Sequence, residues 1–404
     1  MTAESRRRST SSRLVNCPFE VRCKNCNGNW TFKVTNNAHN HGPSNSISGH
    51  PSASRLNVAQ REEVHRLACG GVSTRQIVST LRQQDLDGYV SPRAVSNERQ
   101  RQRAAELNGR TPIEALIDAL TEKRFVHNVV WDPNHRVKGL FFAHPHAVTL
   151  SRKYRSVFLL DCTYKTNKFR MPYLDIVGVT SFNTTFFSCG AFLTAEREAD
   201  YIWAMQQFAT LFEGLSLPST LVTDRELALM NAIHTVFPHS VNLLCVWHIQ
   251  KNVMARCRKE FANQELWQEF QGHLSRLFKS QSAGTFEAAW NEFRAKFGLD
   301  SQPVQYIQSR WMPYKTHFIS AWADEYLHLG ETNTSRVEGS HSLLKRYLQT
   351  STGDLKTMVE RCSMAIEEQR SAHDRAIGFE TANLRIHSHM PFSLKWCVRC
   401  LDTA

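Results

Sequence analysis

Two aspartates close short apolar runs in this chain. The first run is Ser156-Val157-Phe158-Leu159-Leu160-Asp161-Cys162-Thr163, and the second is Leu217-Pro218-Ser219-Thr220-Leu221-Val222-Thr223-Asp224-Arg225-Glu226. A short continuous apolar run reads as a buried strand. An acid at its end lies at the rim of a sheet, where open α/β folds bind ligands. Two such acids on neighbouring strands suit a divalent cation, and a cation pair activates an oxygen nucleophile against a phosphodiester. Magnesium or manganese needs only a few carboxylates for this. A third acid should come from a helix that packs back on the same rim. Glu338 fits best, in Asn333-Thr334-Ser335-Arg336-Val337-Glu338-Gly339-Ser340-His341. Thr334 or Ser335 would cap the helix, Glu338 would fall in an early turn, and Val337, Leu344 and Leu348 would face inward. Glu196, Glu198 and Glu226 compete, but each opens an expected helix, where an acid complements the helix dipole. Asp161 and Asp224 also have an ordinary reading, as strand-end turn residues.

The elements that must position these groups are legible in outline. Residues 111–379 read as the main domain. Thr111-Pro112 opens a helix, and Phe125–Val130 and Val137–Phe142 read as short strands around Asp132-Pro133-Asn134-His135. Strands are expected at 156–162, 173–181 and 184–193, a helix at Glu196–Phe212, a strand at 219–223, a helix at Glu226–Val236, and a strand at Val241–Trp247. From there the pattern is helical almost to residue 379. The order describes an α/β fold, a mixed sheet with a large helical addition.

Ahead of it, residues 56–108 read as three short helices. One runs from Val58 to Ala68 and stops at Gly70-Gly71; one starts at Ser73 and faces Ile77, Val78 and Leu81 inward; one starts at Ser91-Pro92. The arrangement resembles a helix-turn-helix. The third helix would then offer Arg93, Asn97, Arg99, Arg101 and Arg103 to DNA, types suited to guanine and adenine edges. A helical spacer with a solvated basic face is the competing reading. Residues 43–55 read as a linker and 1–13 as a disordered basic tail, in which Arg6-Arg7-Arg8 is a nuclear address or a solvated run.

The 404 residues carry a formal charge of +12, and 41% are apolar. That length predicts two or three domains, and the charge favours polyanions. No apolar run is long enough to span a bilayer, which argues against a membrane partner. The first 13 residues lack the apolar core of a secretory signal. Eleven scattered cysteines, with no dense framework, point to a reducing compartment.

Four blocks carry a family resemblance. They are Asp161-Cys162-Thr163-Tyr164-Lys165-Thr166-Asn167; Thr223-Asp224-Arg225-Glu226-Leu227-Ala228; Leu244-Cys245-Val246-Trp247-His248; and Thr334-Ser335-Arg336-Val337-Glu338-Gly339-Ser340-His341. In this order they resemble Mutator-like (MULE) transposases of fungal type, over roughly residues 14–370. The resemblance implies an RNase H-like fold with a helical insertion at about 250–333. It implies Asp161, Asp224 and Glu338 as a DDE triad binding Mg2+ or Mn2+. It implies cleavage of double-stranded DNA at terminal inverted repeats and joining of the freed 3′ end to target DNA, by a homo-oligomer in the nucleus. The Cys-x-x-His pair Cys245 and His248 is a family signature beside the centre; its expected role is supporting, with His248 near the triad and Cys245 buried. Two other outcomes share the resemblance, a transposon-derived DNA-binding regulator, as among plant far-red-response proteins, and an inactive remnant. A cellular RNase H-like nuclease would share the acids but not the Cys-x-x-His block.

Residues 14–42 resemble the latter part of a WRKY/GCM-type zinc domain, through Cys17-Pro18-Phe19, Trp30 and His39-Asn40-His41. Histidines two apart on extended chain face the same way and can share one Zn2+. Cys17, Cys23, His39 and His41 are the expected ligands, with Cys26 the alternative to Cys23. The family's upstream cysteine is replaced by Ser11, Ser12 and Arg13, which suggests a truncated or decayed copy. Residues 380–404 read as a divergent tail, with Cys397 and Cys400 spaced poorly for a second zinc site.

Overall fold

The computed structural model describes residues 16–26, 28–43, 55–84, 89–163, 169–181, 184–330 and 355–382. The chain divides into two compact units, Met1–Gly109 and Arg110–Ala404.

The first unit opens with an antiparallel hairpin, β1 (Glu20–Cys26) and β2 (Asn29–Asn36). Strand alternation separates its faces: Val21, Val34, Phe32 and Trp30 on one side, Arg22, Lys24 and Lys33 on the other. Three helices follow, α1 (Val58–Cys69), α2 (Thr74–Gln84) and α3 (Pro92–Leu107). Asn57 caps α1 in a capping box with Gln60, and Ser91 caps α3 with proline at its first position. Leu56, Val64, Ile77, Val78, Leu81, Val90 and Val95 form a core between them.

The second unit is a mixed α/β domain. Helix α4 (Pro112–Glu122) precedes the hairpin β3 (Val126–Trp131) and β4 (Val137–Ala143), whose turn is held by the Asp132 carboxylate accepting from the N–H groups of Asn134 and Arg136, both at 2.8 Å. Helix α5 (Pro145–Lys153) was not expected from the pattern, although His144-Pro145 carries a start signal, proline at the first helical position. Then come β5 (Val157–Thr163), β6 (Tyr173–Val179), β7 (Thr185–Phe192), α6 (Glu198–Thr210), β8 (Thr220–Thr223), α7 (Leu227–Val236) and β9 (Val241–Leu244). The seven strands lie in the order β3-β4-β7-β6-β5-β8-β9. β5 is antiparallel to β6 and parallel to β8. Both faces of the centre are covered, which is why these strands read as continuous apolar runs. Phe158 and Leu160 pack with Tyr201, Met205 and Phe208 of α6 on one face, and Val157 and Leu159 pack with Leu243 and Ala323 on the other. Gly178 leaves the room that the Phe186 ring fills.

A helical lobe follows: α8 (Val246–Cys257), α9 (Gln264–Phe278), α10 (Ala283–Phe297), α11 (Gln302–Arg310), a 3-10 stretch at Met312–His317, and α12 (Ser320–Ala323). Trp267, Phe270, Phe286, Phe293, Ile307 and Trp311 form its core, which continues into Leu244 and Ile249. The lobe meets the outer edge of β9, where His317 Nδ1 lies 2.7 Å from the Asn242 carbonyl oxygen and donates to it. Helix α13 (Leu355–Ala382) packs against α4 and β7, with Gln369 Oε1 accepting the Phe187 N–H at 2.9 Å.

Two expected boundaries move. The strand foreseen at Val241–Trp247 ends at Leu244, and Cys245 becomes the N-cap of α8. Cysteine is a poor cap and the apolar run continues through the turn, so nothing in composition marked the switch. The helix foreseen at Glu196 begins at Glu198, with Arg197 as N-cap. Among the described residues no helix is long and apolar enough to cross a membrane.

Candidate active site

Asp161 stands near the carboxyl end of β5 and Asp224 directly follows β8. Leu159 pairs with Val222 across the parallel ladder. Carrying that register two residues on sets Asp161 level with Asp224, on strands about 4.8 Å apart. Asp161 is 9% exposed and Asp224 partly buried. The Asp224 carboxyl is pushed up to about 6, first by burial and then by the negative charges of Asp161, Glu226 and Glu196. The rim is thus a cluster of acids that repel one another. A divalent cation would relieve that repulsion, so the donors fit one.

The acids differ in what else they do. Glu226 is the N-cap of α7 and accepts the Ala228 N–H at 3.4 Å, as dipole complementation requires. Glu198 accepts from the Asn231 side chain at 2.9 Å. Glu196 lies outside the helix; its carboxylate meets the Cys162 thiol and adds to the upward push on Asp224. Its expected role as a helix opener is therefore corrected: the cap position belongs to Arg197. Asp175 on β6 lies directly opposite Asp161 and is 2% exposed. Its signal in sequence was a single carboxylate inside the apolar run Tyr173–Val179. Glu338 lies outside the described residues, as do Cys397 and Cys400.

Cys245 and His248 enter the site through the start of α8. His248 Nε2 lies 3.9 Å from Asp161 Oδ1. Cys245 is 3% exposed, and its thiol is pushed up to about 12, mainly by burial, with Asp161 and Asp224 adding to the rise. It is a neutral, space-filling group beneath the acids. Trp247 stacks edge-on with His248 at 4.7 Å and carries the Lys251 ammonium over its ring at 4.4 Å.

In the first unit, Cys17, His39 and His41 bring one ligand atom each to within 4.8 Å of one another. Cys17 Sγ lies 3.4 Å from His39 Nδ1. The Cys17 thiol is lowered to about 7, chiefly by the Phe19 backbone hydrogen bond, which favours the thiolate that zinc requires. Phe19 stacks on His39 at 4.4 Å and steadies the ring. One thiolate and two imidazoles fit zinc. Cys23 does not join them. It sits mid-strand in β1 opposite Phe32, and a strand advances about 3.3 Å per residue, which carries it away from Cys17.

On α3, Arg93, Asn97, Arg101 and Arg103 are exposed. Arg99 is half-buried and donates to Thr74 Oγ1 at 2.7 Å. Arg101 pairs at 2.7 Å with Glu98, which is 8% exposed, so both arginines also serve the helical core.

A seven-stranded mixed sheet with a cluster of acids at its rim defines this α/β domain. Residues 157–252 match the MULE transposase domain. The match covers 96 of the 404 residues, and both rim aspartates lie within it. A stretch of the PKS-NRPS hybrid synthetase cheA of Chaetomium globosum is 23% identical over 379 residues, covering 84% of this chain and 8% of that protein. Protein FAR1-RELATED SEQUENCE 11 of Arabidopsis thaliana is 22% identical over 369 residues, covering 86% of this chain and 52% of that protein. Protein FAR1-RELATED SEQUENCE 5 of the same plant is 25% identical over 67% of this chain and 34% of its own length. The chain thus spans about half or less of these relatives. The HTLV-2 integrase catalytic core domain, solved with magnesium, matches over 26% of this chain and 72% of its own, at 18% identity and a TM-score of 0.17, a likeness too slight to carry an argument.

Proposed function

We propose that the chain is a DDE transposase, cutting double-stranded DNA at the terminal inverted repeats of a Mutator-like element and joining the freed 3′ end to target DNA. The observation that carries this reading is the adjacency of Asp161 and Asp224 on parallel neighbouring strands, within the stretch that matches the transposase domain. A sheet with β5 between an antiparallel and a parallel neighbour agrees with the RNase H-like fold that the family implies, and the helical lobe after β9 agrees with its insertion. Asp161 and Asp224, with Glu338 as third ligand, would hold Mg2+ or Mn2+, which supplies nucleophile activation and stabilises the leaving oxygen. His248 restrains the Asp161 carboxylate, and Cys245 fills the space below the pair without competing as a thiolate.

DNA recognition falls to the first unit. The exposed face of α3 presents Arg93 and Asn97 to base edges, with Arg101 and Arg103 at its flanks for phosphates. The basic face of the hairpin, with Arg22, Lys24 and Lys33, supplies further phosphate contacts, and zinc on Cys17, His39 and His41 would fix its end. Action at paired element ends calls for a homo-oligomer in the nucleus. The similarity to FAR1-related proteins favours one second reading, a DNA-binding regulator of transposase descent without cleavage. Asp161→Asn decides between them. It should abolish Mg2+- or Mn2+-dependent cleavage of repeat-end DNA while leaving binding intact. Wild-type protein that binds such DNA and never cuts it would establish the regulator instead.

A further inference from the structure

Arg225 directly follows Asp224, so its Cα stands about 3.8 Å from that of a rim acid. Its guanidinium lies 4.7 Å from the ring centroid of Tyr314 and 5.8 Å from that of Trp311. Both aromatics belong to the helical lobe, Trp311 at the end of α11 and Tyr314 in the 3-10 stretch. Trp311 is 2% exposed, so the platform is anchored in the lobe's core. Arg225 Nε is buried and donates to no acceptor among the described residues. No carboxylate among them forms an ion pair with it.

This is an unusual place for an unneutralised cation. Arginine stays charged at any physiological pH, and a partly buried charge is normally paired. Here four acids stand within the same rim, yet the guanidinium turns to the aromatic platform rather than to a carboxylate. Stacking holds the planar fork in one orientation, so little side-chain freedom remains to be lost when an anion arrives. The fork matches the paired oxygens of a phosphodiester.

We propose that Arg225 binds a backbone phosphate of the DNA strand entering the rim, within a nucleotide or two of the phosphate that is cut. The assignment rests on the reading of the rim as a DNA-cleaving centre. It also gives the lobe a task, since Tyr314 and Trp311 aim a residue that belongs to the sheet.

The test uses the full chain and a fluorescein-labelled duplex of about 30 bp with one fixed sequence, followed by anisotropy between roughly 50 and 300 mM KCl with Ca2+ present. Each phosphate neutralised contributes roughly 0.9 to the slope of log affinity against log salt. Arg225→Gln should lower the slope by about that amount, and Arg225→Lys, which keeps the charge, should restore it. Arg155→Gln is the control; Arg155 lies at the opposite end of β5, bonded to Ser216 at 2.9 Å, and its loss should leave the slope unchanged. A wild-type slope in Arg225→Gln, with only a lower melting midpoint, would reduce Arg225 to a packing role and overturn the proposal. So would a wild-type chain that binds no duplex at the lowest salt. The cleavage reading fails by a different result: no metal-dependent cutting by the wild type, whatever the slopes.

Discussion

Neutralising Asp224 should stabilise the metal-free protein. The carboxyl is raised from 3.8 to about 6 in the folded chain, by burial and by the charges of Asp161, Glu226 and Glu196. A folded value above the unfolded one means that the native state holds the proton more tightly. The associated stability is full below about pH 4 and is lost as pH rises through about 6. Two pH units correspond to about 3 kcal/mol, and partial solvent access trims this to about 2–3 kcal/mol. Asp224→Asn mimics the protonated acid at every pH and escapes the loss. At roughly 2–4 °C per kcal/mol, its melting midpoint in EDTA near pH 8 should lie roughly 4–12 °C above that of the wild type. Near pH 3, below both values, the gap should nearly vanish. Added Mg2+ should raise the wild type more than the variant, because a cation removes the same repulsion. Differential scanning fluorimetry reads all four conditions. Equal midpoints near pH 8, or a gap that persists near pH 3, would refute the claim that burial and the neighbouring acids raise the Asp224 carboxyl.

Other outcomes follow from the same structure. His41→Ala should lower zinc bound by the full chain, measured by elemental analysis after dialysis, whereas Cys23→Ala should leave it unchanged, because Cys23 lies mid-strand away from the ligand group. Arg93→Ala should relax base preference at one position of sites selected from a random duplex library, at about 1–3 kcal/mol. Arg101→Ala should instead lower the melting of the helical unit, since it strips a partner from the buried Glu98.

Much of this was written in local pattern. The runs at 156–163 and 219–223 are strands because they are short, apolar and closed by polar residues, and the order of strands and helices from β5 to β9 follows from periodicity alone. Ser91-Pro92 marked the start of α3 because capping chemistry is local. What could not be read is what depends on pairing. That Asp161 faces Asp175 is a fact of antiparallel register, and no spacing in the chain encodes it. Glu196 looked like a helix opener because two residues decide whether an acid caps or faces the rim. Arg225 looked like any charge after a strand; its stacking on Tyr314 joins residues 89 positions apart and needs the lobe in place.

The bond from His317 to Asn242 has a consequence for how such a protein can be cut or recombined. β9 is the last strand of the sheet, and its outer backbone would otherwise be open to any extended peptide. The lobe acts as a stopper on that edge. A trimmed version lacking the segment should therefore stick to copies of itself through strand addition, even with every acid in place. Any version made for study should therefore keep sheet and lobe as a single piece.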